Sequence, residues 1–228
     1  MAQKSAERPY LRAVRPAAQE PVLGDAEIIE GVAAGDARVA WALHDRLVGT
    51  VDQALYRVMG GRGPDHDDLV QMSFEQIVRT LTNRSFAGNC SLKTWASRIT
   101  THVALNALRS KRRERRVIDR RGEATELSPA LPSTQAGDER RVEARVELHR
   151  VRRHLSRMSA RRAEALLLHD VHGHDLNEIA VMLGLSVSAV QSRLVRGRRE
   201  LQERMASDEV GPSESTSEVS VEEGEPHV

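Results

Sequence analysis

Apolar residues recur at spacings of three and four along most of the chain, and this period predicts helices. The longest stripe runs through Trp41 or Ala40, Leu43, Leu47, Val51, Leu55 and Val58. Asp36 is placed to cap this helix, and Asp25 to cap a shorter one before it. We expect Trp41 to lie in the core. Together with the segments below, the pattern predicts an all-α fold of two small helical domains joined by a flexible linker.

A second stripe follows the break at Gly60, Gly61, Gly63 and Pro64. Its buried positions are predicted to be Val70, Ser73 or Phe74, Ile77 and Leu81, with Asp67, Asp68, Gln71 and Glu75 on the other side. Neighbouring carboxylates can serve acid–base chemistry or a metal. Because no nucleophile or Cys/His set accompanies them, their favourable position at a helix N-terminus is the better explanation.

A basic helix over residues 91–113 follows a polar loop that contains Phe86. Its apolar face comprises Leu92, Trp95, Ile99 and Val103, and polar or basic residues expected to be exposed lie elsewhere: Lys93, Arg98, Thr101, His102, Asn106 and Arg109. Aromatic rings beside cations are typical of single-strand binding. A core tryptophan with a solvated basic end is the alternative, and Phe86 is either a lid over the core or a stacking surface.

Residues 175–199 have the pattern of a helix-turn-helix. Leu176, Ile179, Ala180 and Leu183 form one apolar face, Gly184 can adopt the left-handed turn, and Ser186 can cap a second helix over 187–199. Val190 and Leu194 point inward, which leaves an outer face of Ser188, Gln191, Ser192, Arg193 and Arg196, with Ala189 and Arg198 beside them. Such side chains read base edges and phosphates. The alternative is an ordinary helical hairpin.

Two further helices, predicted over residues 146–158 and 160–169, buttress this motif. The turn after them contains His169, His172 and His174 with Asp170 and Asp175. A zinc cluster is conceivable on composition, but ordinary turn residues explain the set, since no cysteine lies nearby. We therefore expect neither a metal nor a cofactor.

Charge is distributed unevenly along the chain. Residues 207–228 contain seven acids and no Lys or Arg, so the rest carries +8 against a whole-chain net charge of +1. A basic body indicates a polyanionic partner, and the acidic tail is a candidate to fold back on Arg193, Arg196, Arg198 and Arg199. The lone Cys90, the lack of a signal-peptide core and the lack of a long apolar run predict a cytoplasmic chain without membrane insertion.

Several motifs in order resemble the extracytoplasmic-function (ECF) group of bacterial RNA polymerase sigma factors. Residues 68–74, D-L-V-Q-M-S-F, resemble the group's D-L-V-Q-x-x-F. Phe86 and residues 90–99, C-S-L-K-T-W-A-S-R-I, resemble F-x-x-x-x-S-[FL]-[RK]-T-W-L-x-R-I, and 104–109 resemble A-x-D-x-L-R. The chain departs at Thr101 and His102, where the group has R-N, at Asn106, where it has an acid, and at Met158 and Ser159, where it has Leu-Pro.

The resemblance implies a domain order and a set of contacts. The order is a disordered tail over 1–24, region two over 25–113, a linker over 114–145, region four over 146–206 and an acidic disordered tail over 207–228. Core polymerase would be bound by Asp67, Asp68, Leu69, Gln71 and Phe74. The −10 element would be bound by Phe86, Lys93, Trp95, Arg98, Thr101, His102, Asn106 and Arg109, and the −35 element by Ser188, Ala189, Gln191, Ser192, Arg193, Arg196 and Arg198.

The implied partners are core RNA polymerase, promoter DNA and an anti-sigma factor, and the chain itself would catalyse no reaction. Two other functions remain open. One is a stand-alone helix-turn-helix regulator that binds DNA without polymerase. The other is a protein that occupies polymerase without initiating transcription, for which the departures at Thr101, His102 and Asn106 are the only support.

Overall fold

The computed structural model describes residues 23–120 and 139–209, and within them the chain is helical with no strand. The first domain contains α1 (Asp25–Ala33), α2 (Ala37–Met59), α3 (His66–Thr82) and α4 (Leu92–Arg120). The second contains α5 (Glu139–Arg157), α6 (Ala160–Leu166), a π-helical turn (Leu167–Val171), α7 (Leu176–Leu183) and α8 (Val187–Glu209). The predicted all-α fold is confirmed.

The core of the first domain is built around α2. Its predicted stripe is confirmed, because Leu43, Leu47, Val51, Leu55 and Val58 are all buried. Trp41 is a correction, since 70% of it is exposed. The helical period places Trp41 at the edge of the stripe, two residues before Leu43, where the ring points away from the packed face.

The buried face of α3 is rotated by one residue from the prediction at its start. Leu69 is buried and Val70 only half-buried, while Ser73, Ile77 and Leu81 are buried as predicted. Ser73 is tolerated in the core because its hydroxyl donates to the Leu69 carbonyl oxygen at 2.8 Å. Phe74 is half-buried beside this stripe.

Asp25 caps a different helix from the one predicted. Gly24 is the N-cap of α1, while the Asp25 carboxylate accepts a hydrogen bond from the backbone N–H of Leu92 at 2.9 Å. It also pairs with Arg46 at 3.0 Å. The first helix therefore satisfies a donor at the start of α4, 67 residues later in sequence. Asp36, by contrast, caps α2 as predicted.

We expect Asp25→Ala to lower the free energy of unfolding by about 1–2 kcal/mol, because the Leu92 N–H and Arg46 both lose an acceptor. Urea denaturation of the full chain measures this change. Asp45→Ala is the matched control, since the Asp45 side chain is 81% exposed. Equal losses in both variants would contradict the capping role.

The helix-turn-helix forms as predicted. Gly184 ends α7 with φ 64°, the left-handed conformation that glycine adopts without strain. The Ser186 hydroxyl accepts the Ala189 N–H at 3.3 Å, and Val190 and Leu194 are buried. Helix α8 then continues to Glu209, ten residues beyond the predicted end.

Helices extend into the predicted linker from both sides. Helix α4 runs to Arg120 and α5 begins at Glu139, so residues 114–120 and 139–145 are helical. Residues 207–209, assigned to the tail, belong to α8. The remaining linker residues and the predicted disordered tails lie outside the described residues, at 1–22, 121–138 and 210–228.

The two domains pack against each other along α4. Leu155, Met158 and Leu166 of the second domain belong to the same buried cluster as Trp95 and Leu105 of α4. One face of α4 closes the first domain, and another lies against α5, α6, the π-helical turn and α7.

Within the described ranges, no single helix is both long and apolar enough to cross a membrane. The segments Leu176–Leu183 and Val187–Asp208 reach that length and composition only as a pair bent by 105°.

Candidate nucleic-acid and protein interface

The N-terminal half of α3 presents an acidic surface. Asp67, Asp68 and Gln71 are exposed, and the Gln71 amide donates to the Glu75 carboxylate at 3.0 Å. Leu69 lies on the opposite side, with 5% of its surface exposed. Leu69 is therefore a core residue, and its side chain is not exposed for the predicted direct contact with polymerase.

Aromatic rings extend this surface towards α2. The ring of Phe74 lies 4.7 Å from that of His44, which in turn meets Trp41 edge-on at 6.1 Å. The apolar period predicts Trp41 in the core and gives no sign of this surface. An exposed tryptophan, linked to Phe74 through the His44 ring, is the kind of residue that dominates protein interfaces. Its position at the edge of the α2 stripe was the available signal.

The aromatic residues before and within α4 are packed on each other and are not both exposed to solvent. Phe86 packs on Trp95 with ring centroids 4.6 Å apart and an interplanar angle of 40°. Trp95 is 6% exposed, so its ring belongs to the core, and the half-buried Phe86 covers it. Phe86 was predicted to be either a lid over the core or a stacking surface, and the structure supports the lid. Its outer part is the aromatic surface that remains accessible.

Apart from the buried Trp95, the predicted −10 residues on α4 fall into two groups. Lys93, His102 and Asn106 are exposed. The others lie at the domain interface and bond to the second domain. Their contacts are Arg98 Nε to Glu164 at 3.2 Å, Thr101 Oγ1 to His172 Nε2 at 2.9 Å and Arg109 to the Met158 carbonyl oxygen at 3.4 Å.

Thr101 was expected to be exposed, and this is wrong. It is fully buried because its hydroxyl is satisfied twice, by the Ser97 carbonyl oxygen at 2.7 Å and by His172. A polar residue with both partners supplied inside the protein carries little penalty for burial. The departure from the R-N pair at this position therefore coincides with a domain contact.

His172 makes the domain contact sensitive to acid. Burial, followed by the positive charges of His174 and Arg57, lowers the pKa of His172 to about 4. The unfolded chain binds this proton near pH 6.5, so the stability that depends on a neutral His172 is complete above that pH and is lost as pH falls from 6.5 towards 4. The largest possible loss is about 3 kcal/mol.

We therefore expect the two domains to separate as pH falls from 7.5 to 5. Small-angle scattering would show this as an increase in radius of gyration at pH 5. His172→Asn removes the titrating group and should flatten the response, whereas His102→Asn, at an exposed position of α4, should leave it intact. A pH profile unchanged by His172→Asn would assign the transition to another group.

The outer face of the helix-turn-helix is open to solvent. Ser188, Gln191, Ser192 and Arg196 are exposed, and Ala189 and Arg193 are half-buried. Arg198 is different, because its guanidinium binds both carboxylate oxygens of Asp170, at 2.5 and 3.1 Å. This pair fixes α8 to the π-helical turn, so Arg198 has a structural role in addition to the predicted contact with DNA.

The histidines of the turn are dispersed among different partners. His169 contacts Asp170 at 2.7 Å, His172 contacts Thr101, and His174 lies 3.4 Å from both Ser97 and Glu178. Within the described part of the chain, no group of three His, Cys, Asp or Glu residues is arranged to hold a metal ion.

Comparisons with known proteins agree with this two-domain arrangement. The family model for sigma-70 region 2 matches residues 43–114, and that for sigma-70 region 4 matches residues 145–201. The chain is 33% identical over 155 residues to the RNA polymerase sigma factor NccH of Alcaligenes xylosoxydans xylosoxydans, covering 68% of this chain and 80% of the relative.

Two other relatives give the same assignment. Identity to the RNA polymerase sigma factor CnrH of Cupriavidus metallidurans is 32%, over 63% of this chain and 75% of that protein. Identity to the ECF sigma factor SigG of Mycobacterium tuberculosis is 35%, over 64% of this chain and 43% of that protein. A solved structure, CnrH in complex with the cytosolic domain of CnrY, aligns with TM-score 0.46 and 26% identity over 81% of this chain and 98% of that chain. The chain belongs to the ECF group of RNA polymerase sigma factors.

Proposed function

We propose that this chain is a dissociable promoter-specificity subunit that binds core RNA polymerase and directs it to a set of promoters. The observation that carries the proposal is the presence of two separate polar surfaces on two helical domains. One is the acidic face of α3 with its adjoining aromatic rings, and the other is the open face of α8.

The α3 surface is assigned to core polymerase. Asp67, Asp68 and Gln71 supply charge and hydrogen bonds, and Phe74 with Trp41 supplies apolar area. A charged surface flanked by aromatic anchors suits a protein partner better than DNA, because the phosphate backbone would repel the carboxylates.

The −10 element is assigned to the exposed part of α4 and to Phe86. Lys93, His102 and Asn106 are exposed in the packed arrangement, whereas Arg98, Thr101 and Arg109 are bonded to the second domain and would be released when it moves away. Free protein should therefore bind promoter DNA weakly, and polymerase would hold the domains apart.

The −35 element is assigned to the N-terminal half of α8, which would enter the major groove. Ser188, Gln191 and Ser192 are suited to base edges, and Arg193 and Arg196 to a guanine or to phosphates. Two weak DNA contacts joined through polymerase gain affinity by effective concentration.

Run-off transcription from a panel of promoters, with core polymerase alone and with this protein added, tests the proposal. We expect promoter-selective transcripts only when the protein is present. The protein is assigned no catalytic role of its own, so the chemistry remains with the polymerase.

Binding to core polymerase without any transcript would favour the alternative function, a protein that occupies polymerase without initiating transcription. Tight DNA binding without core binding would favour the stand-alone regulator, for which the complete helix-turn-helix is the supporting observation. The proposal also includes an anti-sigma partner, because the relative CnrH was solved in complex with the cytosolic domain of CnrY.

A further inference from the structure

A strongly basic cleft of about 540 Å³ opens between the C-terminal half of α4 and α5. Apolar atoms of Met59 and Leu108 contribute to its lining. Seven cationic side chains surround it: Lys111, Arg112, Arg115, Arg116, Arg152, Arg153 and Arg157. None of these residues was assigned to the −10, −35 or polymerase-binding surfaces.

The positive charge of this basic cleft is only partly compensated. Lys111 pairs with Asp65 at 2.5 Å, and Arg153 pairs with Asp208. Within the described ranges, Arg112 and Arg157 have no ion pair. Burial, followed by repulsion from cations that include Arg157, lowers the pKa of Arg112. The same causes lower the pKa of His149, with Arg115 the first of its cationic neighbours.

Arg152 is fixed at the cleft by the backbone rather than by an acid. Its Nε donates to the Val58 carbonyl oxygen at 2.9 Å. The guanidinium lies against Gly60, where any Cβ would overlap it, and one of its terminal nitrogens is buried without a hydrogen-bond partner in the described structure. Because this nitrogen faces Gly60, Arg152 contributes its positive charge to the cleft and no free donor.

The described chain ends at this cleft. Helix α8 stops at Glu209, and Asp208 contacts Arg153 and lies 2.8 Å from His154 Nε2. The sequence then continues through residues 210–228, which contain five glutamates and no Lys or Arg. The acidic residues 210–228 therefore follow directly in sequence on a helix end that contacts Arg153 of the cleft.

We propose that residues 210–228 bind in the basic cleft between α4 and α5, with their glutamates paired to its uncompensated arginines. Glu214 follows Asp208 by six residues and can reach roughly 20 Å when extended. The alternative site, Arg193 to Arg199 on α8, lies about 15–20 Å from Asp208 along the helix, so it is within the same reach. Tethering beside Arg153 gives the segment a millimolar effective concentration at the cleft. On α8, Arg198 and Arg199 already pair with Asp170 and Glu203, so the cleft offers more unpaired cations among the described residues.

Zero-length carbodiimide coupling on the full chain tests this inference, because the chain has three lysines, Lys4, Lys93 and Lys111. Only Lys111 lines the cleft. Mass spectrometry should find tail glutamates joined to Lys111 at a yield several-fold above that at Lys93. Mixing isotopically labelled and unlabelled chains identifies products formed within one chain, and products only between chains would overturn the proposal.

Two lysine variants compare the competing sites directly. Arg157→Lys places an amine in the cleft, and Arg196→Lys places one on the recognition helix. We expect tail products at position 157 and not at 196. Arg112→Gln combined with Arg157→Gln should lower the Lys111 product at least about threefold, as should 0.5 M salt. Absence of a tail product at Lys111, or a greater yield at 196 than at 157, would overturn the proposal.

Discussion

We expect Asp68→Ala to lower promoter-dependent transcription by at least about tenfold, which corresponds to a loss of about 1.4 kcal/mol in polymerase binding. The carboxylate is exposed in the first turn of α3, on the same surface as Gln71. Its removal costs the fold only about 0.3–1 kcal/mol of helix-dipole stabilisation. The loss should therefore appear in run-off transcription and in binding to core polymerase, while thermal unfolding changes little.

Glu30→Ala is the matched control for this variant. Glu30 is 67% exposed on α1 and pairs with Arg84 across the surface at 3.4 Å, an interaction worth at most about 1 kcal/mol. Leu69→Ala is unsuitable for testing the surface, because truncating this buried leucine should cost about 2–5 kcal/mol of stability. If the Asp68→Ala variant supported full transcription, α3 would not be part of the polymerase interface.

The second large effect is expected from Glu164→Arg. The Glu164 side chain is 12% exposed and binds Arg98 at 3.2 Å, and its charge also acts on Arg109. Replacing it by arginine places three cations at the domain contact, where repulsion is poorly screened. We expect the domains to separate, so that the radius of gyration increases and affinity for single-stranded −10 DNA rises about tenfold.

Glu203→Arg controls for the change in net charge. Glu203 is 61% exposed on α8 and pairs only with Arg199, four residues earlier, among its described contacts. It should raise DNA affinity only slightly, through general electrostatic attraction. Equal gains from Glu164→Arg and Glu203→Arg would show that the domain contact does not restrict access to α4.

The helices and the internal stripes were predictable because each follows from a local period. The helical period places Leu43, Leu47 and Val51 on one face of α2, whichever element packs against that face. The left-handed turn at Gly184 and the cap at Ser186 are equally local, and each needs only its own neighbours. The family motifs added the order of the two domains.

The domain contact could not be obtained from these patterns. Thr101 is buried by a hydrogen bond to His172, 71 residues away, and a helical period carries no information about so distant a partner. Asp25 is a similar case, since the backbone N–H that it caps belongs to another helix. Trp41 shows the opposite error, because an apolar residue at the edge of a stripe belongs equally to the core or to an interface.

The bond from Asp25 to the start of α4 bears on where the first domain can be cut. The family match covers residues 43–114, so a fragment cut to it would retain the start of α4 yet lack the carboxylate that receives its Leu92 N–H. Arg46 would lose its partner in the same fragment. We therefore expect a stable fragment of the first domain to start before α1, and so to be longer than the segment recognised by similarity.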